Sequence, residues 1–330
     1  MRLLMLGGTE FAGRAVVEAA LSAGWEVTVF HRGRHEPPAG VRSLHGDRTA
    51  PDGLAALADG EWDVVVDTWS AAPRAVRDTA RLLAGRVARY VYVSSCSVYA
   101  WPPAAGYTED APLVDGASAD AEQTDYARDK RGAELAVLDA FGAERSVLVR
   151  SGLILGPYEN IGRLPWWLNR IARGGPVLAP GPRDLPLQYV DVRDLAEWIL
   201  GAVRRGLGGA YNLAGPRGLT TTGELLDACV RVTGARAELR WTEPEVILGA
   251  GVEPWTQLPV WVPPGSDLHD ALHGADVSLA LGSGLLCRGV EATVGDTWGW
   301  LRSLGGVAPQ RADRPAVGLD PAVEAKLLGL

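Results

Sequence analysis

A short apolar strand pattern, Arg2 to Leu6, runs directly into Gly7-Gly8-Thr9-Glu10-Phe11-Ala12-Gly13, and from Phe11 to Ser22 apolar residues recur at helical spacing. A glycine-rich turn alone is weak evidence, and its place at the first strand-to-helix junction is what gives it weight. Glycine is needed there where the backbone turns tightly, where it must approach a pyrophosphate, and where helix packs on strand. The helix N-terminus supplies N–H groups and the positive end of its dipole, which suit phosphate. The turn therefore predicts an α/β architecture whose first crossover can hold a dinucleotide.

The first half of the chain repeats this alternation. Strand patterns fall at Glu26 to Phe30, Val41 to His45, Asp63 to Asp67, Tyr90 to Ser94 and Ser146 to Arg150, and helical ones at Ala72 to Ala84 and Tyr126 to Phe141. Such a series predicts βαβ units joined into a parallel sheet. The stretch Trp101 to Asp125 interrupts it with Pro102, Pro103 and Pro112 and the acids Glu109, Asp110, Asp115, Asp120, Glu122 and Asp125. A long loop of this kind is either a lid or a solvated insertion, and the residues leave both open. After Arg150 the texture turns to Pro, Gly and Trp. The chain is thus expected to divide into a dinucleotide-binding domain over 1–150 and a smaller substrate lobe over 151–330, with returning segments near 186–215 packing on the first domain.

Composition narrows the function classes. With 47% hydrophobic and 22% charged residues, a core is available throughout, which excludes disorder and disulfide miniproteins. The 32 Lys and Arg against 40 Asp and Glu give a net charge of -8, so nucleic acid is not an expected partner. Cys96, Cys229 and Cys287 lie far apart with no Cys-x-x-Cys pair, which speaks against a zinc cage or a disulfide framework; no metal is expected, and a reducing cytoplasm fits. The apolar run Met1 to Leu6 is too short for a signal-peptide core or a membrane span. Only Lys130 and Lys326 are lysine among the 32 basic residues.

The second strand ends in Phe30-His31-Arg32, where an NAD-specific site would carry an acid for the ribose 2′-hydroxyl. Arg32 and Arg34 suit a 2′-phosphate instead, which favours NADP(H) over NAD(H), although an exposed arginine pair is the plainer reading. Asp47, closing the third strand, is placed to touch an adenine ring. Gly7, Thr9, Glu10, Phe11, Gly13, Arg48, Thr68, Ser94 and Lys130 complete the expected cofactor contacts.

The fifth strand ends in Ser94-Ser95-Cys96-Ser97-Val98-Tyr99, and the next helix opens with Tyr126-Ala127-Arg128-Asp129-Lys130. Residues four apart share a helix face, so Tyr126 and Lys130 can address one substrate. A phenol is a poor acid or base near neutral pH, and a neighbouring ammonium with a positive nicotinamide ring stabilises the phenolate. A compact ammonium on a flexible stem can lie beneath a tyrosine and reach a ribose, a task a planar guanidinium does not fit. One of only two lysines stands at this position. Ser95 would then hold the substrate oxygen.

These residues together resemble the extended short-chain dehydrogenase/reductase group, the NAD(P)-dependent epimerase/dehydratase-like family. Arg150-Ser151-Gly152-Leu153-Ile154-Leu155-Gly156-Pro157 is similar to the family's Arg-x-x-Asn-Val-Tyr-Gly-Pro. Gln188-Tyr189-Val190-Asp191-Val192-Arg193-Asp194-Leu195-Ala196 is similar to its Phe-Ile-His-Val-Asp-Asp-Leu-Ala segment, and Ala210-Tyr211-Asn212-Leu213 to its returning strand. The resemblance implies a doubly wound parallel Rossmann sheet with a smaller C-terminal substrate-binding lobe, a nicotinamide cofactor, catalytic roles for Ser95, Tyr126 and Lys130, and a homodimer through the helices that include Tyr126 to Phe141.

Three departures shape the expected chemistry. Glu10 replaces the middle glycine of the family's Gly-x-x-Gly-x-x-Gly and puts a carboxylate near the pyrophosphate; atypical members, some described as chloroplast stem-loop RNA-binding proteins, carry arginine there. Leu153 and Leu187 stand where sugar-nucleotide enzymes place an asparagine and an arginine, which disfavours a nucleotide diphosphate. Trp166, Trp167, Trp255 and Trp261 tilt the substrate lobe toward an apolar ligand by their number, although each taken singly is more readily a core residue. The leading expectation is an NADPH-dependent carbonyl reductase of a non-nucleotide, aromatic or polyketide-like small molecule, with Tyr126 as proton donor. A nucleotide-sugar epimerase or dehydratase holding its cofactor tightly is one alternative, with Glu109, Asp110 and Asp125 as candidate extra acids. A non-catalytic cofactor- or RNA-binding scaffold is the other.

Overall fold

The computed structural model describes residues 1–121 and 125–330. Along the chain come β1 (Arg2–Leu6), α1 (Phe11–Ser22), β2 (Glu26–His31), β3 (Arg42–His45), β4 (Trp62–Asp67), α2 (Arg74–Leu83), β5 (Val87–Ser95), α3 (Tyr126–Phe141) and β6 (Ser146–Ser151). Next are β7 (Ile154–Leu155), α4 (Arg163–Ala172), β8 (Gly175–Pro180), β9 (Pro186–Leu187) and β10 (Val190–Asp191), then α5 (Val192–Arg204) and β11 (Gly209–Leu213). The chain divides into two compact units: Met1–Gly152 with Val192–Ala214 and Ala275–Leu286, and Leu153–Asp191 with Gly215–Gly274 and Cys287–Leu330.

The first unit holds one parallel sheet of seven strands in the order β11-β6-β5-β4-β1-β2-β3. Strands added after β1 run one way through β2 and β3, and the chain then returns to the other side of β1 with β4. The order therefore reverses between β1 and β4, and in such sheets ligands bind beyond the carboxyl ends of the strands at that point. Because helices cover both faces, the strands are buried on both sides and read as continuous apolar runs, as in Leu3-Leu4-Met5-Leu6 and Val64-Val65-Val66. On one face Leu4, Phe30, Val65, Tyr90, Tyr92 and Leu148 pack with Val76, Ala80 and Leu83 of α2 and Ala133, Val137 and Phe141 of α3. On the other, α1 packs against α5.

The second unit is built around β8, which pairs in parallel with β13 (Ala237–Thr242), while β9 pairs antiparallel with β12 (Thr220–Thr221). The helix α6 (Thr222–Thr233) is started by a reciprocal cap, in which Thr221 accepts from the Glu224 N–H and Glu224 accepts from the Thr221 N–H. Its core is apolar and includes Leu153, Trp167, Leu187, Leu226 and Trp261.

The segment after β5 is held at several points. Its described part is fastened rather than hinged: the Tyr107 ring is buried with Val98, Tyr99 and Ala214, and the Glu109 carboxylate accepts the Asn212 N–H at 2.7 Å. Leu113 forms a bridge with Tyr99, and the Val114 N–H donates to the Val98 carbonyl at 2.9 Å. Those contacts tie the stretch they span to the sheet of the first unit. Glu122 lies outside the described residues.

Candidate active site

The glycine turn follows β1, at the point where the strand order reverses. Gly7 and Gly8 take φ of +104° and +87°, a region that side chains avoid. A Cβ on Gly8 would lie 2.8 Å from Met5 Cγ, and one on Gly13 would lie 2.8 Å from the Gly8 backbone N. Turn and helix thus touch through hydrogen atoms alone, and Gly7 is close to Thr68, whose Oγ1 would lie 3.0 Å from an added Cβ. Glu10 is the N-cap residue of α1, yet its side chain makes no cap hydrogen bond, and no acid occupies the first turn of that helix. The Glu10 carboxylate is exposed, 3.9 Å from His35 Nε2. Thr9 and Phe11 are half-buried beside it, Phe11 at φ +36°. A close-packed glycine cradle and a helix start without a side-chain cap fit a dinucleotide pyrophosphate.

Beyond β2 the residues expected to choose the cofactor are solvent-facing. Arg32 and Arg34 are exposed. The Thr49 hydroxyl and N–H, donating to Asp47 at 2.7 and 3.0 Å, hold the Asp47 carboxyl below the usual carboxylate range, and the charges of Arg32 and Arg34 add to this. Arg48, expected at the cofactor, is instead locked inside. It donates to both Asp67 oxygens at 2.8 and 2.7 Å, to Thr79 Oγ1 at 3.1 Å and to the Ala75 carbonyl at 3.0 Å. Burial pushes the Asp67 carboxyl upward, but the Arg48 charge and its hydrogen bonds outweigh this and keep it ionised.

The C-terminal ends of β4 and β5 and the first turns of α3 carry the remaining groups. Asp125 caps α3 by accepting the Arg128 N–H at 2.8 Å, which sets Tyr126 at the first helical position, half-buried. Lys130 is only 3% exposed. Its Nζ donates to the Trp69 carbonyl at 2.6 Å and the Val93 carbonyl at 2.7 Å, and sits 4.7 Å from the centre of the Tyr92 ring. These anchors hold the ammonium between the ends of two neighbouring strands. Ser95 closes β5, and its Oγ accepts the Ser97 N–H and approaches Ser97 Oγ, both at 3.1 Å. Ser94 Oγ is buried and has no hydrogen-bond partner among the described residues. The helix α3 packs along β5 and against the turn Cys96–Val98, so Ser95, Tyr126 and Lys130 belong to one contiguous part of the first unit.

In the second unit the expected substrate residues divide. Leu153 and Leu187 are 5% and 3% exposed within the apolar core. Trp167 and Trp261 are buried there too, their indole N–H groups donating to the carbonyls of Pro259 at 2.7 Å and Gly181 at 3.0 Å. Trp166 and Trp255 are half-buried; Trp166 meets Trp167 edge to face, and the Arg163 guanidinium lies 4.8 Å over the Trp255 ring. Among the described residues no group of three His, Cys, Asp or Glu is placed to hold a metal ion, and no helix is long and apolar enough to cross a membrane.

The order of glycine turn, serine strand end and Tyr-x-x-x-Lys helix on this sheet matches the NAD dependent epimerase/dehydratase family over residues 3–214. The chain belongs to that family. It is an NAD(P)-dependent enzyme of the extended short-chain dehydrogenase/reductase type. No curated protein matches it. Among solved structures it is similar to the Bordetella bronchiseptica enzyme WbmH in complex with NAD+, at 18% identity over 92% of this chain and 99% of that one, with a TM-score of 0.69. The B. bronchiseptica enzyme WbmG in complex with NAD and UDP is 20% identical over 96% and 99%, with a TM-score of 0.67. The Thermus thermophilus UDP-glucose 4-epimerase in complex with NAD is 22% identical over 92% and 99%, with a TM-score of 0.63.

Two expectations are corrected by these likenesses. The preference for NADP(H) is overturned, because the similar structures hold NAD. The arginines that prompted it are exposed. The carbonyl reductase of an aromatic or polyketide-like molecule is likewise overturned by a family of epimerases and dehydratases. It rested on Leu153, Leu187 and four tryptophans, and Leu153, Leu187, Trp167 and Trp261 are core residues of the second unit. A core side chain reports on packing, not on the ligand.

Proposed function

We propose that the protein is an NAD-dependent epimerase or dehydratase acting on a nucleotide sugar. The observation that carries this reading is the anchoring of Lys130 between the Trp69 and Val93 carbonyls, one helical turn beyond Tyr126 and beside the strand that ends in Ser95. NAD, when bound, supplies the hydride acceptor and donor. The backbone of Gly7, Gly8 and Gly13 and the start of α1 would hold its pyrophosphate, with Thr68 and Ser94 nearby. Tyr126 would take the proton of a sugar hydroxyl and return it, Ser95 would hydrogen-bond the same oxygen, and Lys130 would keep the phenolate charge stabilised while reaching the ribose. The similar structures with UDP or a UDP-sugar activity support the substrate class.

The test is to load purified protein with NAD and incubate it with UDP-glucose, UDP-glucuronic acid and dTDP-glucose, resolving products by chromatography. An isomerised or dehydrated sugar nucleotide is expected, and Tyr126→Phe should abolish it. Turnover of none of the three by NAD-loaded protein would refute the reading.

A further inference from the structure

Tyr126, Lys130 and Glu134 follow one another at spacings of four residues, so they line one face of α3. Glu134 is fully buried, and nothing in the chemistry above uses it. Its carboxylate accepts from Arg150 Nε at 3.0 Å and Nη2 at 3.2 Å, and from Arg131 Nη1 at 2.9 Å. Arg150 lies on β6 opposite Ser94, and the next residue, Ser151, is opposite Ser95. The remaining donors of Arg150 continue outward: Nη1 donates to Tyr99 Oη at 3.1 Å and to the Glu109 carbonyl at 2.9 Å. Tyr99 donates to Asn212 Oδ1 on β11 at 2.5 Å, and the Arg150 carbonyl accepts from Cys96 Sγ at 3.2 Å, directly after Ser95.

We infer that Glu134 and Arg150 form a brace that sets the position of the Tyr126 and Lys130 helix against the Ser95 strand end, and that both are positioning residues for the reaction. The physical argument is one of stiffness. Lys130 already ties α3 to the Trp69 and Val93 carbonyls, but a single anchored side chain leaves the helix free to tilt about it, and a second polar anchor one turn further on removes that freedom. A carboxylate gripped by a guanidinium on two oxygens has a fixed direction as well as a fixed distance. Here the grip is buried, so water does not compete for it, and its far side is tied to Tyr99, Glu109 and β11. Glu134, the α3 residue that Arg150 grips, is one turn past Lys130, and Arg131 of the same helix supports it. Sub-ångström placement of reacting groups is worth large rate factors, so the brace should be visible in turnover.

This inference rests on the reading of Tyr126 and Lys130 given above, and its test separates the two. Glu134→Gln alone leaves a buried guanidinium without its carboxylate and can fail to fold; the double variant Glu134→Gln/Arg150→Gln removes both buried charges and leaves only the partly exposed Arg131 without its carboxylate, a smaller cost. With NAD loaded and the sugar nucleotide turned over by the parent as substrate, the folded double variant should lose about 10- to 100-fold in kcat with KM little changed, and the rising limb of its pH profile should move to higher pH as Lys130 loses its place. A packing role alone would lower the melting temperature and leave the pH profile where it was. Parental kcat and pH profile in the folded double variant would overturn the inference. If the parent turns over none of the sugar nucleotides, the functional reading fails. The brace is then read from NADH affinity by nicotinamide fluorescence: a several-fold weakening in the double variant supports it, and parental affinity overturns it.

Discussion

The Lys130 ammonium donates to the Val93 carbonyl at 2.7 Å, two residues before Ser95. A single side chain of α3 is thereby fastened to the strand that presents the serine, and a second bond to Trp69 fastens it to the loop after β4. Lys130→Met removes the ammonium that donates to both carbonyls, although the Trp69 carbonyl keeps the Tyr92 hydroxyl as a donor. We expect a fall in turnover of 100-fold or more, about the scale of a lost acid–base group, together with a lower melting temperature. Lys130→Arg should keep the charge and still lose most turnover, since the guanidinium cannot occupy the same position. Calorimetry alongside product analysis checks both, and full activity in Lys130→Arg would deny the lysine a specific role.

The glycine cradle gives a second prediction. A methyl at Gly13 would lie 2.8 Å from the backbone N of Gly8, and backbone cannot move aside as a flexible side chain can. Gly13→Ala should push α1 away from the turn, with a loss of about 1–3 kcal/mol in stability and a weakening of NAD binding by tenfold or more. Isothermal titration with NAD measures the second effect. Unchanged affinity would place the pyrophosphate elsewhere.

A third concerns the pair that replaces an expected cofactor contact. Arg48 and Asp67 are 6% and 0% exposed and joined by two hydrogen bonds. Arg48→Met strands a buried carboxylate, and a loss of about 3–5 kcal/mol in unfolding free energy is expected by urea denaturation. Arg48→Met/Asp67→Leu should recover part of it. A single variant as stable as the parent would show that the pair carries no such weight.

Stability should also depend on pH through the second unit. His273 is buried beside His269, its Nδ1 accepting the Gln188 N–H at 3.1 Å, and burial first and the neighbouring imidazole second lower its pKa from 6.5 to about 4. Between those values the unfolded chain binds the proton and the folded one does not, so unfolding is favoured as pH falls through that window. The contribution of this site is fully retained above about pH 6.5 and declines progressively toward about pH 4. Melting temperatures across that range should fall more steeply for the parent than for His273→Gln. Equal slopes would show that His273 binds its proton alike in the folded and unfolded chain.

Much of the architecture was legible in the residues. The bounds of α1 and α3 coincide with the helical periods read at Phe11 to Ser22 and Tyr126 to Phe141. The strands are longer than their apolar runs at the ends that matter: β5 continues to Ser95 and β6 to Ser151, paired with each other. The last apolar residues are Val93 and Val149, and beyond them the pattern gives no signal for where the backbone ladder ends. At its other end β5 begins at Val87, because Arg89 breaks the apolar run without breaking the pairing to β4.

By itself the sequence determined the parallel α/β sheet, the glycine turn at its first crossover and the shared helix face of Tyr126 and Lys130, since each follows from periodicity and from local backbone rules. Only the tertiary structure decided that Arg48 belongs to Asp67, that Leu153, Leu187, Trp167 and Trp261 belong to a core, and that Glu134 grips Arg150. Those outcomes depend on partners many residues away, 19 for Arg48 and Asp67 and 92 for Trp167 and Pro259. A charged or aromatic side chain reads the same in sequence whether it meets a ligand or a neighbour, and burial with a satisfied hydrogen bond is what tells the two apart.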